Sequence, residues 1–154
     1  GNLEVRVFET PGHTVGHIAF HLPHEKLLFA GDTLFAMGCG RLFEGTPADM
    51  HQSLQKLAAL PQDTALYCGH EYTLSNGRFA LRVDPDNAAL KQRMLEVEAL
   101  RAQNRFTIPS TLSQELATNP FLRAADPAIA RTIGLEGQTP LAVFTALREL
   151  KNKG

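Results

Sequence analysis

Three residues of this chain stand where side chains from separate loops can meet around a ligand: His13, Asp32 and His70. Each follows a run that reads as a short strand, and each is preceded by a glycine, Gly12, Gly31 or Gly69. Strand ends are where a rigid sheet presents loop residues, and glycine lets the backbone turn sharply enough for such loops to converge. Two imidazoles and one carboxylate form a donor set suited to zinc or iron. The same spacing is equally in keeping with ordinary turn histidines and a turn aspartate, so both readings stand at this point. His13 and His17 are also four apart, but Pro11, Gly12 and Gly16 break any helix there and no Glu follows His13. That excludes the helical His-Glu-x-x-His zinc motif. His17 is expected to be a structural hydrogen-bonding residue. His21, His24 and His51 have no partner at ligand spacing and read as surface or half-exposed positions.

The other nucleophile candidates are weaker. Cys39 and Cys68 read as inert thiols, because nothing adjacent argues for activation. There is no Gly-x-Ser-x-Gly elbow and no Gly-x-x-x-x-Gly-Lys loop, which argues against a serine hydrolase or a nucleotide site.

The elements that must position these residues follow from periodicity. Leu3–Phe8, His17–Leu22, Lys26–Ala30 and Ala65–Cys68 read as strands. Met37-Gly38-Cys39-Gly40 is a glycine-rich loop, and Thr46-Pro47-Ala48-Asp49 is a capping-box start with Pro at the first helical position. Met50, Leu54 and Leu57 mark one face of that helix, and Pro61 stops it. From Thr73 onward strand signals vanish. Asp84-Pro85 is expected to cap a long helix with Leu90, Met94, Val97 and Arg101 on one stripe. Ser110 or Thr111 starts a shorter helix, Asp126-Pro127 another, and Thr139-Pro140 the last, with Leu141, Phe144, Leu147 and Leu150 as its apolar positions. The shift in pattern divides an α/β part, residues 1–72, from an all-helical part, residues 73–154.

Composition narrows the function classes. The chain has 154 residues, 44% of them hydrophobic and 20% charged, which excludes disordered, collagen-like and coiled-coil readings. Fifteen Lys and Arg against 16 Asp and Glu give a net charge of −1, so no nucleic-acid or membrane partner is expected from charge. No stretch approaches the ~20 apolar residues of a membrane helix. Two cysteines are too few for a secreted disulfide framework, so a cytoplasmic protein is expected. The chain opens without Met directly into strand-like alternation, and a fragment of a longer protein is expected.

Four phrases carry a family resemblance: Thr10-Pro11-Gly12-His13-Thr14-Val15-Gly16-His17, Gly31-Asp32-Thr33-Leu34-Phe35, Gly38-Cys39-Gly40-Arg41-Leu42-Phe43-Glu44-Gly45 and Cys68-Gly69-His70-Glu71-Tyr72-Thr73. With Asn119-Pro120-Phe121-Leu122-Arg123 and a helical tail bearing Arg148 and Lys151, they resemble the glyoxalase II family, hydroxyacylglutathione hydrolases on the metallo-β-lactamase fold. Each phrase alone is shared with other hydrolases of that fold, and the combination is much more specific. The resemblance implies an α/β fold: the second half of a metallo-β-lactamase-like αββα sandwich over residues 1–72, then an all-helical substrate-binding domain over 73–154. It implies that His13 binds the first of two divalent metal ions, His70 the second, and that Asp32 bridges both and holds the attacking hydroxide. Zinc is the expected metal, with iron and manganese as alternatives.

The resemblance further implies that Arg41, Tyr72, Arg148 and Lys151 contact glutathione, whose two carboxylates suit Arg and Lys. Arg148 and Lys151 are three apart, so a helix places them on one face; without the resemblance, a solvated basic helix end is the better reading. The implied reaction, a step of methylglyoxal detoxification, hydrolyses S-D-lactoylglutathione to D-lactate and glutathione. Two departures stand out. The family's Thr-His-x-His-x-Asp-His metal motif is absent. It lies upstream in the family, so the ligand set is incomplete here, and the missing N-terminal half or a covering partner is expected to complete the sandwich. Some members have Lys and Tyr where this chain has Arg41 and Phe43, and Phe43 offers no hydroxyl. The rival readings are another enzyme of this fold, such as an iron persulfide dioxygenase, and an inactive glutathione- or partner-binding module.

Overall fold

A computed structural model describes all 154 residues, Gly1–Gly154. Period-two alternation builds its sheet. Strands β1 (Arg6–Glu9), β2 (Ile18–Leu22) and β3 (Leu27–Gly31) run antiparallel in turn, while β4 (Leu34–Phe35) and β5 (Gly38–Cys39) form a separate short hairpin. After helix α1 (Pro47–Ala58), β6 (Ala65–Cys68) pairs parallel with β3, and β7 (Ser110–Thr111) closes the order β1-β2-β3-β6-β7. The first strand begins at Arg6 rather than Leu3. The second part of the chain is not wholly helical: Ser110 and Thr111 pair with Leu66 and Ala65 before Thr111 caps the next helix.

One face of the sheet carries Ala19, His21, Leu28, Ala30 and Leu66, all buried. His21 therefore does not lie at the surface as expected. Alternation with Ala19 turns it inward, where it is 3% exposed and neither ring nitrogen has a partner. On the opposite face Val7, Phe20, Phe29 and Tyr67 follow one another across four strands, and each is 36–57% exposed. Phe29 stacks on Tyr67 at 5.3 Å.

The helices cover the inner face. Thr46 starts α1 with a reciprocal capping box to Asp49, and Met50, Leu54 and Leu57 are buried beneath it. At about 1.5–3 kcal/mol per buried side chain, an upper bound, this stripe outweighs the capping contribution of about 1 kcal/mol. Helix α6 (Pro140–Asn152) buries Val143, Phe144, Leu147 and Arg148. Leu141 and Leu150 are more than a third exposed, because a three-residue step drifts off the face of a helix with 3.6 residues per turn.

Two further helices meet at a glycine. The region from Tyr72 to Asp84 forms α2 (Thr73–Val83), which packs on α3 (Ala88–Ala102). A Cβ at Gly77 would run into Met94 Sδ, so the residue that weakens the helical signal is also what admits α3. Asp84 does not cap α3. It terminates α2, is buried and pairs with Arg123 at 3.3 Å, while the Asn87 side chain caps α3 by accepting from the Leu90 N–H. Helices α4 (Leu112–Thr118) and α5 (Pro127–Thr132) start at Thr111 and Asp126. Side chains from α4, α5 and α6 join those of β2, β3, β6 and α1 in one apolar core.

Candidate metal and anion site

The loops after β1, β3 and β6 deliver His13, Asp32 and His70 to one edge of the sheet. Asp32 Oδ2 lies 3.4 Å from His13 Nε2, and Asp32 Oδ1 lies 3.4 Å from His70 Nε2. One carboxylate thus faces two imidazoles, an oxygen to each. Two ligands held at 2.0–2.2 Å by one tetrahedral ion stand about 3.4 Å apart, so each pair has the spacing of an edge of a metal polyhedron. Nowhere in the chain do three His, Cys, Asp or Glu side chains close around a single point. The donors form two pairs, His13–Asp32 and Asp32–His70, joined through the one carboxylate.

The supporting contacts orient these donors. His13 Nδ1 lies 2.9 Å from the Arg41 carbonyl, a contact it makes as an N–H donor, which directs Nε2 toward Asp32. His17 Nε2 accepts the backbone N–H of Asp32 at 3.1 Å, and its Nδ1 faces the hydroxyls of Thr10 and Thr33 at 2.8 and 2.9 Å. Burial pushes the His17 pKa down, which favours the neutral ring these contacts need. His17 is the residue that fixes the Asp32 backbone. His70 stacks on Tyr72, centroids 4.7 Å apart and planes within 9°, with Phe35 edge-on at 6.0 Å. A Cβ at Gly69 would overlap Asp32 Oδ1, so glycine there is a condition of the carboxylate's position.

A cavity of about 490 Å³ opens from this point. All seven residues singled out in the sequence line it: His13, Asp32, Arg41, His70, Tyr72, Arg148 and Lys151. Burial lowers the Lys151 pKa, and repulsion from Arg148, Arg41 and Arg82 lowers it further, so the cavity wall is a cluster of cations. Arg148 is 5% exposed and donates to the Cys39 carbonyl at 2.7 Å. Phe43 packs against His13 at 5.0 Å. Burial raises the Cys39 thiol to about 11 and also raises Cys68, so neither supplies a thiolate nucleophile near neutral pH.

Two cavity residues went unmarked in the sequence: Ser75 and Asn76. Ser75 and Asn76 stand three and four residues after Tyr72, a spacing that becomes a shared face only once α2 is recognised.

Residues 1–70 match a family model described as Metallo-beta-lactamase superfamily, and residues 71–154 one described as Hydroxyacylglutathione hydrolase C-terminus. A protein of Rhizobium johnstonii named hydroxyacylglutathione hydrolase is 64% identical over 152 residues, 99% of this chain and 59% of that protein. The chain therefore spans 59% of the length of that curated relative. Among solved structures, TTHA1623 in a di-iron-bound form aligns over 77% of this chain and 42% of that one, with TM-score 0.51 and 28% identity. ETHE1 from Myxococcus xanthus aligns over 97% of this chain and 46% of that one with TM-score 0.58, and at 23% identity it shares the fold alone.

Proposed function

The chain belongs to the hydroxyacylglutathione hydrolase family of the metallo-beta-lactamase superfamily, and from that membership we propose that it forms part of a thioesterase hydrolysing 2-hydroxyacylglutathiones such as S-D-lactoylglutathione. The observation that carries this reading is Asp32, which sets one oxygen against each of two imidazoles at the head of a cation-lined cavity. The name hydroxyacylglutathione hydrolase carried by the relative at 64% identity, and the di-iron form of TTHA1623, support both the substrate class and a pair of divalent metals.

His13 and Asp32 would hold one ion, and His70 and Asp32 the other. A metal pair bound there supplies an acidified water, with pKa lowered from about 15.7 to about 7, and a Lewis acid for the thioester carbonyl. The chain's own residues do the rest. His17 holds Asp32 by its backbone N–H, so both carboxylate oxygens stay directed at the imidazoles. Lys151 and Arg41 attract the glutathione carboxylates. Tyr72 stacks on His70 and Phe35 meets it edge-on, so the two rings fix the plane of the imidazole. The departing glutathione thiolate has a conjugate acid near pKa ~8.5, so no strong general acid is needed. The cavity's titratable groups are the proposed metal donors, cations, the Tyr72 phenol and a buried thiol, and none of them is a strong acid.

Steady-state hydrolysis of S-D-lactoylglutathione tests this reading in a protein of the relatives' full length, assayed alongside its metal content. Asp32→Ala is expected to abolish kcat and release metal. A folded, metal-replete protein that leaves the thioester intact would refute the proposal.

A further inference from the structure

The hairpin formed by β4 and β5 is gripped through its backbone by side chains from the second part of the chain. Asn119 Nδ2 donates to the carbonyls of Phe35 and Gly38 at 3.1 and 3.0 Å, and Asn76 Nδ2 donates to that of Ala36 at 3.2 Å. The Met37 N–H donates to Glu115 at 2.7 Å; Glu115 is fully buried and paired with Arg93 at 2.6 Å. Arg148 completes the series. Its guanidinium lies over the Phe121 ring at 5.2 Å and donates to the carbonyls of Cys39 and Gly40 at 2.7 and 3.5 Å. The next carbonyl along the chain, that of Arg41, accepts from His13 Nδ1.

We infer that Arg148 is a positioning residue for His13. By fixing the Cys39–Gly40 backbone it places the Arg41 carbonyl, and that carbonyl holds His13 in the tautomer and ring orientation that directs Nε2 at Asp32. The substrate-facing wall and the His13–Asp32 pair are thereby one mechanical unit, with the guanidinium turned to carbonyl oxygens. A buried planar fork suits this task because it can reach successive carbonyls, which a lysine ammonium on a flexible stem does less well. Neighbours that orient a ligating histidine are worth about ten- to a hundredfold in metal affinity. The inference rests on the proposed role of His13 as a metal ligand.

Two readouts on the full-length protein test it. In the metal-free protein, ¹⁵N-resolved imidazole spectra should show His13 held with its proton on Nδ1, and Arg148→Met should leave a mixture of tautomers. Chelator competition for Zn²⁺ should show affinity falling about ten- to a hundredfold in Arg148→Met. Arg148→Lys, which keeps the charge and guards against misfolding of the first variant, should fall by a smaller factor. Arg82→Met removes a neighbouring cation outside the cavity wall without touching the hairpin and should leave both readouts unchanged. Wild-type tautomer and wild-type Zn²⁺ affinity in Arg148→Met and Arg148→Lys would overturn the inference. If His13→Ala leaves Zn²⁺ affinity unchanged, the functional reading fails instead, and the His13 tautomer in the two Arg148 variants still decides the positioning role.

Discussion

Thr107 donates its backbone N–H and its hydroxyl to the Glu71 carboxylate, at 2.6 and 2.9 Å. Glu71 follows His70 directly, so this pair ties the segment beyond α3 to the loop that carries His70. The Thr107 hydroxyl also meets that of Thr73 at 2.6 Å, which extends the tie to the start of α2.

Glu71→Ala removes a charged acceptor from two donors, and a hydrogen bond to a charged group contributes about 1.5–3 kcal/mol. The expected result is an unfolding free energy from urea titration lowered by about that amount and a Thr107 amide that exchanges rapidly. If that amide keeps its protection, the tie does not hold the segment. In the full-length protein the same variant should weaken metal binding at the Asp32–His70 pair more than at the His13–Asp32 pair.

Lys151 gives a kinetic prediction. Lys151→Ala should raise KM for glutathione thioesters about ten- to a hundredfold, less if the site stays wet, with kcat nearly unchanged. Its proposed partner is a carboxylate distant from the reacting carbonyl, which would be bound alike in ground and transition states. The pH dependence has a definite sign. Burial and neighbouring cations lower the Lys151 pKa, so anion binding persists below that value and is lost as pH rises through it. KM should climb at a pH below the ordinary lysine value of about 10.4, and Lys151→Arg should move the climb upward. A KM flat to that pH would remove Lys151 from the clamp.

Much of the site was legible in the sequence because it depends on local rules. His13, Asp32 and His70 follow glycines at strand ends, and Arg148 and Lys151 are one helical step apart. What was not legible depends on tertiary contacts. Gly77 weakens the helical signal of α2, and only the packing of Met94 into the place of its missing side chain accounts for it. The two-residue strand Ser110–Thr111 has no periodicity to detect, and only its pairing with Ala65 and Leu66 defines it. Arg148 looks like a solvated cation on a helix end, and the carbonyls of Cys39 and Gly40 that bury it are 109 and 108 residues away in sequence.

The exposed row Val7, Phe20, Phe29 and Tyr67 predicts association of this chain when it is produced alone, since large apolar patches are seldom left in water. Sedimentation should show a concentration-dependent mass. Phe20→Ser with Phe29→Thr should weaken the association at least about tenfold, because each ring contributes on the order of 1.5 kcal/mol or more when covered. A wild-type chain that stays monomeric at high concentration would show that this face tolerates water.

His21 sets a limit on stability in acid. Burial lowers its pKa, so the unfolded chain takes up a proton on this ring as pH falls below about 6.5 while the folded chain resists. Its contribution to stability is therefore whole above that value and declines as pH drops toward the depressed folded one. The slope due to His21 stays below the one-proton limit of about 1.4 kcal/mol per pH unit. His21→Leu removes that proton and both unpartnered ring nitrogens. Denaturation from pH 5 to 8 should show a shallower acid limb and, at neutral pH, equal or greater stability, since a buried polar group without partners costs about 1–3 kcal/mol. Any residual slope belongs to His17 and His51, whose pKa values burial also lowers. An unchanged acid limb in His21→Leu would assign the whole effect to those two rings.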